Sequence, residues 1–303
     1  MRPTMTSRVE AYLKRRRALG YKLSREGWQL LNFARYAEKS GHRGPLTTEL
    51  ALRWATLPRD ADPAYRAHRL DIVRIFARHQ SVLEPATQIP PRHVLGPAFR
   101  RKTPHLFTVQ QLHQLLRRAG RLSGQLRPLT WQTLIGLMAC TGLRISEALA
   151  LAVQDVDLEQ GILTIRLSKG QHSRLVPLHR SALPPLRRYA QRRTHDFPQA
   201  RFFFVSDRGQ PLSPSAVWQA FPHLSHDMIP SSGRPHVRLH DLRHTFACRV
   251  LLGWQRSRRG ASGRVAILAR YLGHRHLRDT YWYLTAVPQL LEQAAKHFAP
   301  PST

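Results

Sequence analysis

The chain has 303 residues, of which 42% are hydrophobic, so it is long enough for two domains with packed cores. Lys and Arg total 48 against 18 Asp and Glu, a formal net charge of +30 that is spread along the whole chain. Solvated surface charge explains a single basic run such as residues 13–17, but it explains an excess of this size poorly. A polyanionic partner, nucleic acid, is therefore the leading expectation.

The cysteines and the N-terminal residues indicate the cellular compartment. Cys140 and Cys248 each lie in an apolar helical pattern, which predicts reduced, buried thiols and neither a disulfide framework nor a cysteine-rich zinc site. Residues 1–17 lack the apolar segment of a signal peptide, and the apolar stretch at residues 134–143 is about half as long as a membrane span. We expect a soluble, cytoplasmic, nucleoid-associated protein with no membrane partner.

The first part of the chain is predicted to form a small, very basic helical domain. Four helical stretches follow one another in residues 7–84, the first ending at Gly20 and the second before Gly41. The residues that follow are rich in proline and in basic side chains, a composition typical of an extended linker. We place the helical DNA-binding domain at residues 1–88 and the linker at residues 89–105.

Residues 106–303 are predicted to form a second domain that is mostly helical. The helical pattern after Thr108 is interrupted where alternating residues from Ile162 and a short run around Val176 bracket a turn at Gly170. That pattern predicts a β-hairpin. The chain as a whole is therefore expected to be mostly α with a small β-sheet, in the α+β class.

The stretch LHDLRHTFA, which begins at Leu239, has two stripes of side chains on one predicted helix. Leu239, Leu242 and Phe246 recur at spacings of three and four, as expected of a helix that lays one face on a core. His240 and Arg243 lie on the neighbouring stripe. Positions three apart on a helix bring their Cβ atoms within about 5–6 Å, so these two side chains could contact one small anion together.

His240 and His244 also have the helical spacing of two zinc ligands. The chain has no HExxH motif, and no set of acidic ligands lies nearby in the sequence. A metal site is therefore the weaker interpretation of these two histidines, and we expect no metal and no cofactor.

Three further stretches carry candidate functional residues. Arg144 and Glu147 stand three apart beside the apolar face of a helix, where the alternative is an exposed ion pair worth a few tenths of a kcal/mol. Lys169 begins the hairpin turn and could reach over a neighbouring pocket, although alone it would be one more surface lysine. His274 follows a glycine, and Tyr283 comes nine residues later. Singly, these two would be a satisfied histidine and a core aromatic.

The order of these residues resembles the tyrosine recombinase (phage integrase) family. TGLRISEALAL matches the first arginine motif of the family, and SKGQHSRLVPL matches its hairpin lysine. HDLRHTFA matches the His-x-x-Arg box, and LGHRHLRDTYWY matches the final histidine with the nucleophile. In that pattern the nucleophile follows the histidine by nine residues, which selects Tyr283 over Tyr281 and Tyr271. The resemblance covers about residues 106–303, and the end of the chain is most similar to recombinases of transposons and related mobile elements.

The resemblance implies a helical core-binding domain followed by a mixed catalytic domain with a defined catalytic set. The catalytic residues would be Arg144, Lys169, His240, Arg243, His274 and Tyr283. Guanidinium groups stay ionised and offer forked donors to phosphate oxygens, so Arg144 and Arg243 would clamp the scissile phosphate. A free tyrosine has a pKa near ~10, so Tyr283 needs a positive field or a base in order to attack at neutral pH. His240 is the candidate base.

Three other roles are implied by the resemblance. Lys169 would protonate the departing 5′ oxygen, His274 would hydrogen-bond the phosphate, and Glu147 would orient Arg144 from behind. Because a covalent 3′-phosphotyrosine retains the bond energy, rejoining would need neither ATP nor a metal.

The expected function is site-specific recombination of double-stranded DNA through a Holliday junction, which would mobilise or integrate a DNA element. A homotetramer on two DNA sites is expected, with or without partner recombinases. The alternatives are a type IB topoisomerase, which would act as a monomer, and a non-catalytic DNA-binding regulator. Four residues near the end of the chain share one helical face and would pack on their own domain or dock into a neighbouring subunit: Leu290, Leu291, Ala294 and Phe298.

Overall fold

The chain folds into two compact units, Met1–Arg101 and Lys102–Thr303. The computed structural model describes the backbone of residues 3–98, 104–166, 173–228, 237–256 and 264–286. The domain boundaries expected at residues 88 and 105 stay a prediction. Leu95, which lies within the predicted linker, packs against the core of the first unit.

The described part of the first unit is a bundle of four helices. These helices are α1 (Met5–Ala18), α2 (Ser24–Lys39), α3 (Thr48–Thr56) and α4 (Pro63–Leu83). Thr4, Thr47 and Asp62 each cap a helix, because the side-chain oxygen accepts a hydrogen bond from a backbone N–H of the first turn. The apolar faces meet in one core that includes Phe33 and Trp54, whose rings pack edge to face.

The second unit is built from eight helices and a small sheet in the described residues. The helices are α5 (Val109–Ala119), α6 (Arg127–Thr141), α7 (Ile145–Leu149), α8 (Leu183–Asp196), α9 (Pro214–Leu224), α10 (His240–Arg256), α11 (Arg264–Leu272) and α12 (Arg278–Ala286). Trp131 and Tyr189 lie at the centre of its main core. A second cluster, which includes Cys248, Leu268 and Tyr283, joins α10, α11 and α12.

The sheet is antiparallel with strand order β1 (Val156–Asp157), β2 (Ile162–Ile165) and β3 (Arg174–Pro177). The predicted hairpin therefore exists between β2 and β3. Leu163 pairs with Val176, and both are buried. The α+β fold class, mostly helical with a small sheet, is confirmed.

The two cysteines differ in burial. Cys248 is buried, as predicted, but the prediction was wrong for Cys140, which is exposed. Cys140 faces an open groove between α6 and the start of α8, lined in part by Leu137 and Pro184, so no helix covers it. Within the described residues, none of the helices has the length and apolar composition needed to traverse a bilayer.

Candidate active site

Arg144 is held from behind by a carboxylate and a carbonyl. It directly precedes α7, and its backbone N–H donates to Glu147 Oε2 at 3.0 Å, which fixes the start of that helix. Its guanidinium donates through Nη1 to Glu147 Oε1 at 2.8 Å and through Nη2 to the carbonyl of Gly273 at 3.0 Å. Since a guanidinium has five N–H donors, these two bonds leave donors for a phosphate.

Arg243 lies in the first turn of α10 and is only 1% exposed. Its Nη1 donates to the carbonyl of Gly142 at 2.7 Å and its Nη2 to that of Leu272 at 2.6 Å. Burial, followed by the charge of Arg144, lowers the pKa of Arg243 to about 10, so the group stays cationic at neutral pH. Because Leu272 and Gly273 are consecutive, both arginines are anchored to the same turn after α11.

His240 is the first residue of α10, and its ring is packed edge to face with the ring of His244 at a centroid distance of 4.7 Å. Partial burial, followed by the charges of Arg243 and Arg238, lowers the pKa of His240 to about 4. The side chain still reaches solvent, so the contribution of burial is smaller than for an enclosed ring. The neighbouring cations act in the same direction, and the imidazole is therefore neutral at pH 7.

His274 follows Gly273 and is bonded to the helix that carries the candidate nucleophile. Its Nδ1 lies 2.6 Å from Oγ1 of Thr280, in the first turn of α12. Burial, followed by the charges of Arg243 and Arg144, lowers the pKa of His274 to about 3, so this ring is neutral as well.

Tyr283 is enclosed, with 2% of its surface exposed. Its ring contacts that of His244 at 5.4 Å between centroids. Burial raises the pKa of Tyr283, while the charge of Arg243 and a hydrogen bond from it act in the opposite direction. The phenol is therefore protonated in the free protein and needs a base in order to become a nucleophile.

Glu147 is the buried counter-ion of this group, with 5% of its side chain exposed. Burial alone would raise the pKa of Glu147, but hydrogen bonds from Arg174 and Arg144 hold it at about 2. Arg144 and Glu147 therefore form a largely buried ion pair, and the alternative of an exposed pair is wrong.

The structure brings six of the seven residues singled out in the sequence to one place. They are Arg144, Glu147, His240, Arg243, His274 and Tyr283. Lys169 and the apolar face expected at residues 290–298 lie outside the described residues. The described residues contain no cluster of three or more His, Cys, Asp or Glu side chains suited to a metal.

Sequence reasoning missed Arg174 and Thr280, which bond Glu147 and His274 respectively. The signal for Arg174 was present, because a basic residue stands two positions before Val176 on a strand, where the same face is expected to be apolar. Thr280 gave no comparable signal, since its partner is known only once α12 is placed.

The arrangement is suited to binding and activating a phosphodiester. Two guanidinium groups with fixed backbone partners face a region that also holds two neutral imidazoles and a phenol. Cationic donors whose positions are fixed in advance stabilise the charge that develops on non-bridging oxygens during attack. A neutral imidazole can accept the proton of an attacking hydroxyl.

Comparison with known sequences gives a consistent result. A sequence model of the phage integrase family matches residues 106–289, more than half of the chain. A protein named as an integrase/recombinase, y4rB of Sinorhizobium fredii (strain NBRC 101917 / NGR234), is 38% identical over 303 residues, covering 97% of this chain and 96% of the relative. Tyrosine recombinase XerA of Pyrococcus furiosus is 32% identical over 166 residues, which cover 53% of this chain and 51% of XerA.

Solved structures share the fold. The Tn1549 transposon integrase in complex with transposon right end DNA gives a TM-score of 0.69 at 16% identity, covering 97% of this chain and 98% of that one. A lambda integrase tetramer bound to a Holliday junction gives a TM-score of 0.64 at 18% identity, covering 93% and 77%. These identities support the fold alone, whereas the family match and the y4rB relative establish membership. The chain belongs to the phage integrase family and is a tyrosine-type site-specific recombinase.

Proposed function

We propose that this recombinase cleaves and rejoins double-stranded DNA through a covalent 3′-phosphotyrosine formed by Tyr283. The observation that carries the proposal is the position of the buried Tyr283 ring, which lies 5.4 Å from the ring of His244 and 6.0 Å from that of His274. The charge of the buried Arg243 also acts on its phenol. A tyrosine that only fills a core does not require a cation as its neighbour, and burying a cation costs desolvation free energy.

In this mechanism two arginines from separate segments of the chain bind the scissile phosphate. Arg144 and Arg243 neutralise its non-bridging oxygens, and their anchors on the turn after α11 keep them in place during the reaction. His240, which is neutral, accepts the phenolic proton as Tyr283 attacks. The phosphorus–5′ oxygen bond then breaks, and we assign the proton taken up by that oxygen to Lys169.

His274 is assigned a hydrogen bond to the phosphate, and Glu147 the orientation of Arg144. The reverse reaction uses a free 5′ hydroxyl as the nucleophile. Because the phosphotyrosine bond replaces a phosphodiester of similar energy, neither ATP nor a metal enters the scheme.

We infer that the enzyme acts as a homotetramer on two DNA sites, passes through a Holliday junction, and mobilises or integrates a DNA element. The support is the fold that it shares with an integrase tetramer bound to a Holliday junction and with a transposon integrase bound to its DNA end. Residues 1–88, as the helical DNA-binding domain, would bind the DNA. The net charge of +30 on the whole chain favours binding to phosphates. The cytoplasm, in contact with chromosomal DNA, is the compartment where this activity would take place.

Covalent trapping tests the proposal. Nicked duplexes tiled across the DNA that flanks the native locus are incubated with the wild-type protein and with Tyr283→Phe, with and without chelator, and the products are denatured. We expect an adduct on the 3′ phosphate that survives denaturation, forms in chelator and is absent from Tyr283→Phe. Tyr281→Phe is the matched control, since it removes a hydroxyl two residues away, and it should form the adduct at the wild-type rate.

Two results would contradict the proposal. An adduct that persists in Tyr283→Phe would place the nucleophile elsewhere, and no adduct on any tiled duplex would favour a DNA-binding regulator. Where adduct forms, the strand-exchange reaction between two copies of the site separates recombination from relaxation by a type IB topoisomerase, which would relax supercoils but exchange no strands.

A further inference from the structure

Arg174 occupies a position on β3 where an apolar residue would be expected. In the register of the hairpin, Leu163 lies opposite Val176 and Ile165 lies opposite Arg174. Residues directly opposite each other in an antiparallel pair share a face of the sheet, so Arg174 points to the same side as the buried Leu163, Ile165 and Val176. A charged side chain directed toward a core needs partners there.

The partners of Arg174 come from two other segments of the active site. Its guanidinium makes a two-pronged pair with Glu147, from Nη1 to Oε1 at 3.1 Å and from Nη2 to Oε2 at 2.8 Å. Its Nε donates to the carbonyl of Tyr271 at 2.7 Å, at the end of α11. Only 10% of the side chain is exposed, so these contacts are poorly screened by solvent.

The same guanidinium packs closely on the turn that carries His274. Gly273 has a φ of +66°, and a Cβ added there would lie 2.7 Å from Nη1 of Arg174. The carbonyl of Gly273 accepts the hydrogen bond from Arg144. Arg174 and Arg144 therefore both pack against Glu147 and Gly273.

We propose that Arg174 is a positioning residue for the cleavage reaction: it holds Glu147 and the turn at Gly273 together, so that Arg144 and His274 keep their places when DNA binds. Because Arg174 belongs to β3, it also fixes that strand to the same group. The inference rests on the proposed function of Tyr283, and it assigns to Arg174 no contact with the phosphate.

The test is the single-turnover rate of adduct formation, measured together with the dissociation constant for the same nicked duplex. Arg174→Ala should lower the rate about 10- to 100-fold, because a small misplacement of catalytic groups can cost about 10²-fold in rate. DNA affinity should stay within about threefold, because Arg174 acts on the chemical step. Arg174→Lys keeps the charge but not the two-pronged geometry, so it should recover only part of the rate.

Chemical rescue separates positioning from general stability. Millimolar guanidinium should raise the rate of Arg174→Ala several-fold, because the ion can occupy the space between Glu147 and Tyr271. It should not raise the rate of the wild-type protein, and sodium chloride at equal ionic strength should raise the rate of neither protein.

Arg118→Ala is the matched control variant, since Arg118 makes a similar two-pronged pair with Asp227, at 2.6 and 2.5 Å, outside the site. Its cleavage rate should be that of the wild type.

A second substitution approaches the same contact from the other side. Gly273→Ala would push the guanidinium of Arg174 away without removing it, and it would also strain the turn, since the φ of Gly273 is +66°. We therefore expect a loss of rate at least as large as that of Arg174→Ala. Arg174→Lys keeps the inference testable if Arg174→Ala fails to fold.

The inference is overturned if Arg174→Ala and Arg174→Lys both form adduct at the wild-type rate. It is also overturned if the rate and the DNA affinity fall together and guanidinium restores neither. If the wild-type protein forms no adduct, that result contradicts the proposed function itself. The wild-type protein is therefore assayed before the variants are compared.

Discussion

The imidazole ring of His274 lies nearly parallel to the phenol ring of Tyr283, with the ring centroids 6.0 Å apart and the planes at 24°. Their separation of nine residues in sequence is bridged by a turn and the first turns of α12. Because Thr280 of α12 also bonds Nδ1 of His274, the helix that carries the proposed nucleophile holds the histidine too. A shift of α12 would therefore move both groups.

Tyr283 and Tyr281 should differ in chemical accessibility in the free protein. Tyr281 is 51% exposed and Tyr283 only 2%. Since nitration of tyrosine needs access to the ring and is favoured by the phenolate, the buried Tyr283 with its raised pKa should react far more slowly. Limited treatment with tetranitromethane, followed by mass spectrometry of the shared peptide, gives each rate with the other as internal control. Equal rates would show that Tyr283 is open to solvent before DNA binds.

The bond between Thr280 and His274 should matter for cleavage. Thr280→Val keeps the shape of the buried side chain but removes the hydroxyl that lies 2.6 Å from Nδ1. We expect the single-turnover rate to fall about 10-fold, because a histidine without this bond is held less closely in its place. Thr130→Val is the control, because it removes a buried threonine hydroxyl from α6, away from the site. A loss of similar size in both variants would argue for a general effect of packing.

Arg243 should not be replaceable by lysine. Lysine keeps a positive charge, but its single ammonium group does not reproduce the two guanidinium bonds to the carbonyls of Gly142 and Leu272. We expect Arg243→Lys to lower the cleavage rate on the order of 10²–10³-fold. A carbonyl left without a donor costs about 1–3 kcal/mol, so the free energy of unfolding should also fall.

Urea denaturation and adduct formation measure the two effects of Arg243→Lys. Arg249→Lys is the control on the same helix, because Arg249 is exposed and donates to the carbonyl of Phe107. Wild-type cleavage by Arg243→Lys would mean that charge alone suffices at this position.

Acidification should destabilise the second unit through its histidines. The pKa values of His240 and His274 are lowered to about 4 and about 3, whereas in the unfolded chain both would take up a proton near ~6.5. The unfolded state therefore binds more protons below that pH, and stability falls as the pH decreases from about 6.5 toward 4. We expect His274 to contribute more, because His240 reaches solvent.

Urea denaturation at about pH 7.5 and pH 5 checks this dependence on pH. The carboxylate of Glu147, whose pKa is about 2, stays ionised in the folded protein at both pH values. It adds little to the difference, because a glutamate in the unfolded chain is also mostly ionised at pH 5. The double variant H240Q/H274Q should lose most of the pH dependence. An unchanged dependence in that variant would assign the effect to other groups.

The fold was predictable to the level of its elements because local patterns determine them. The four helical stretches in residues 7–84, the hairpin around Val176 and the helix that follows Leu239 were all predicted from short-range patterns. Burial was less predictable, as Cys140 shows, because the exposed side of α6 depends on where α8 begins. No pattern within one helix contains that information.

The candidate active site was likewise predictable in part. Its titratable residues could be selected from their order along the chain, but their partners could not. Arg144 and Arg243 are bound by carbonyls of Gly142, Leu272 and Gly273, and a carbonyl has no signature in a sequence. Tyr283 was selected by its distance from His274 along the chain, and the details of its enclosure follow only from the packing of α10, α11 and α12.

The anchoring of Arg144 and Arg243 by main-chain carbonyls has a practical consequence for altering the enzyme. Side chains can be exchanged in a library, but the path of the backbone through residues 142 and 272–273 cannot be exchanged in that way. A library aimed at a new DNA target could therefore randomise many surface positions while the proposed phosphate clamp stays intact. The condition is that these two turns are left untouched, together with the glycines at 142 and 273, both with φ near +65°.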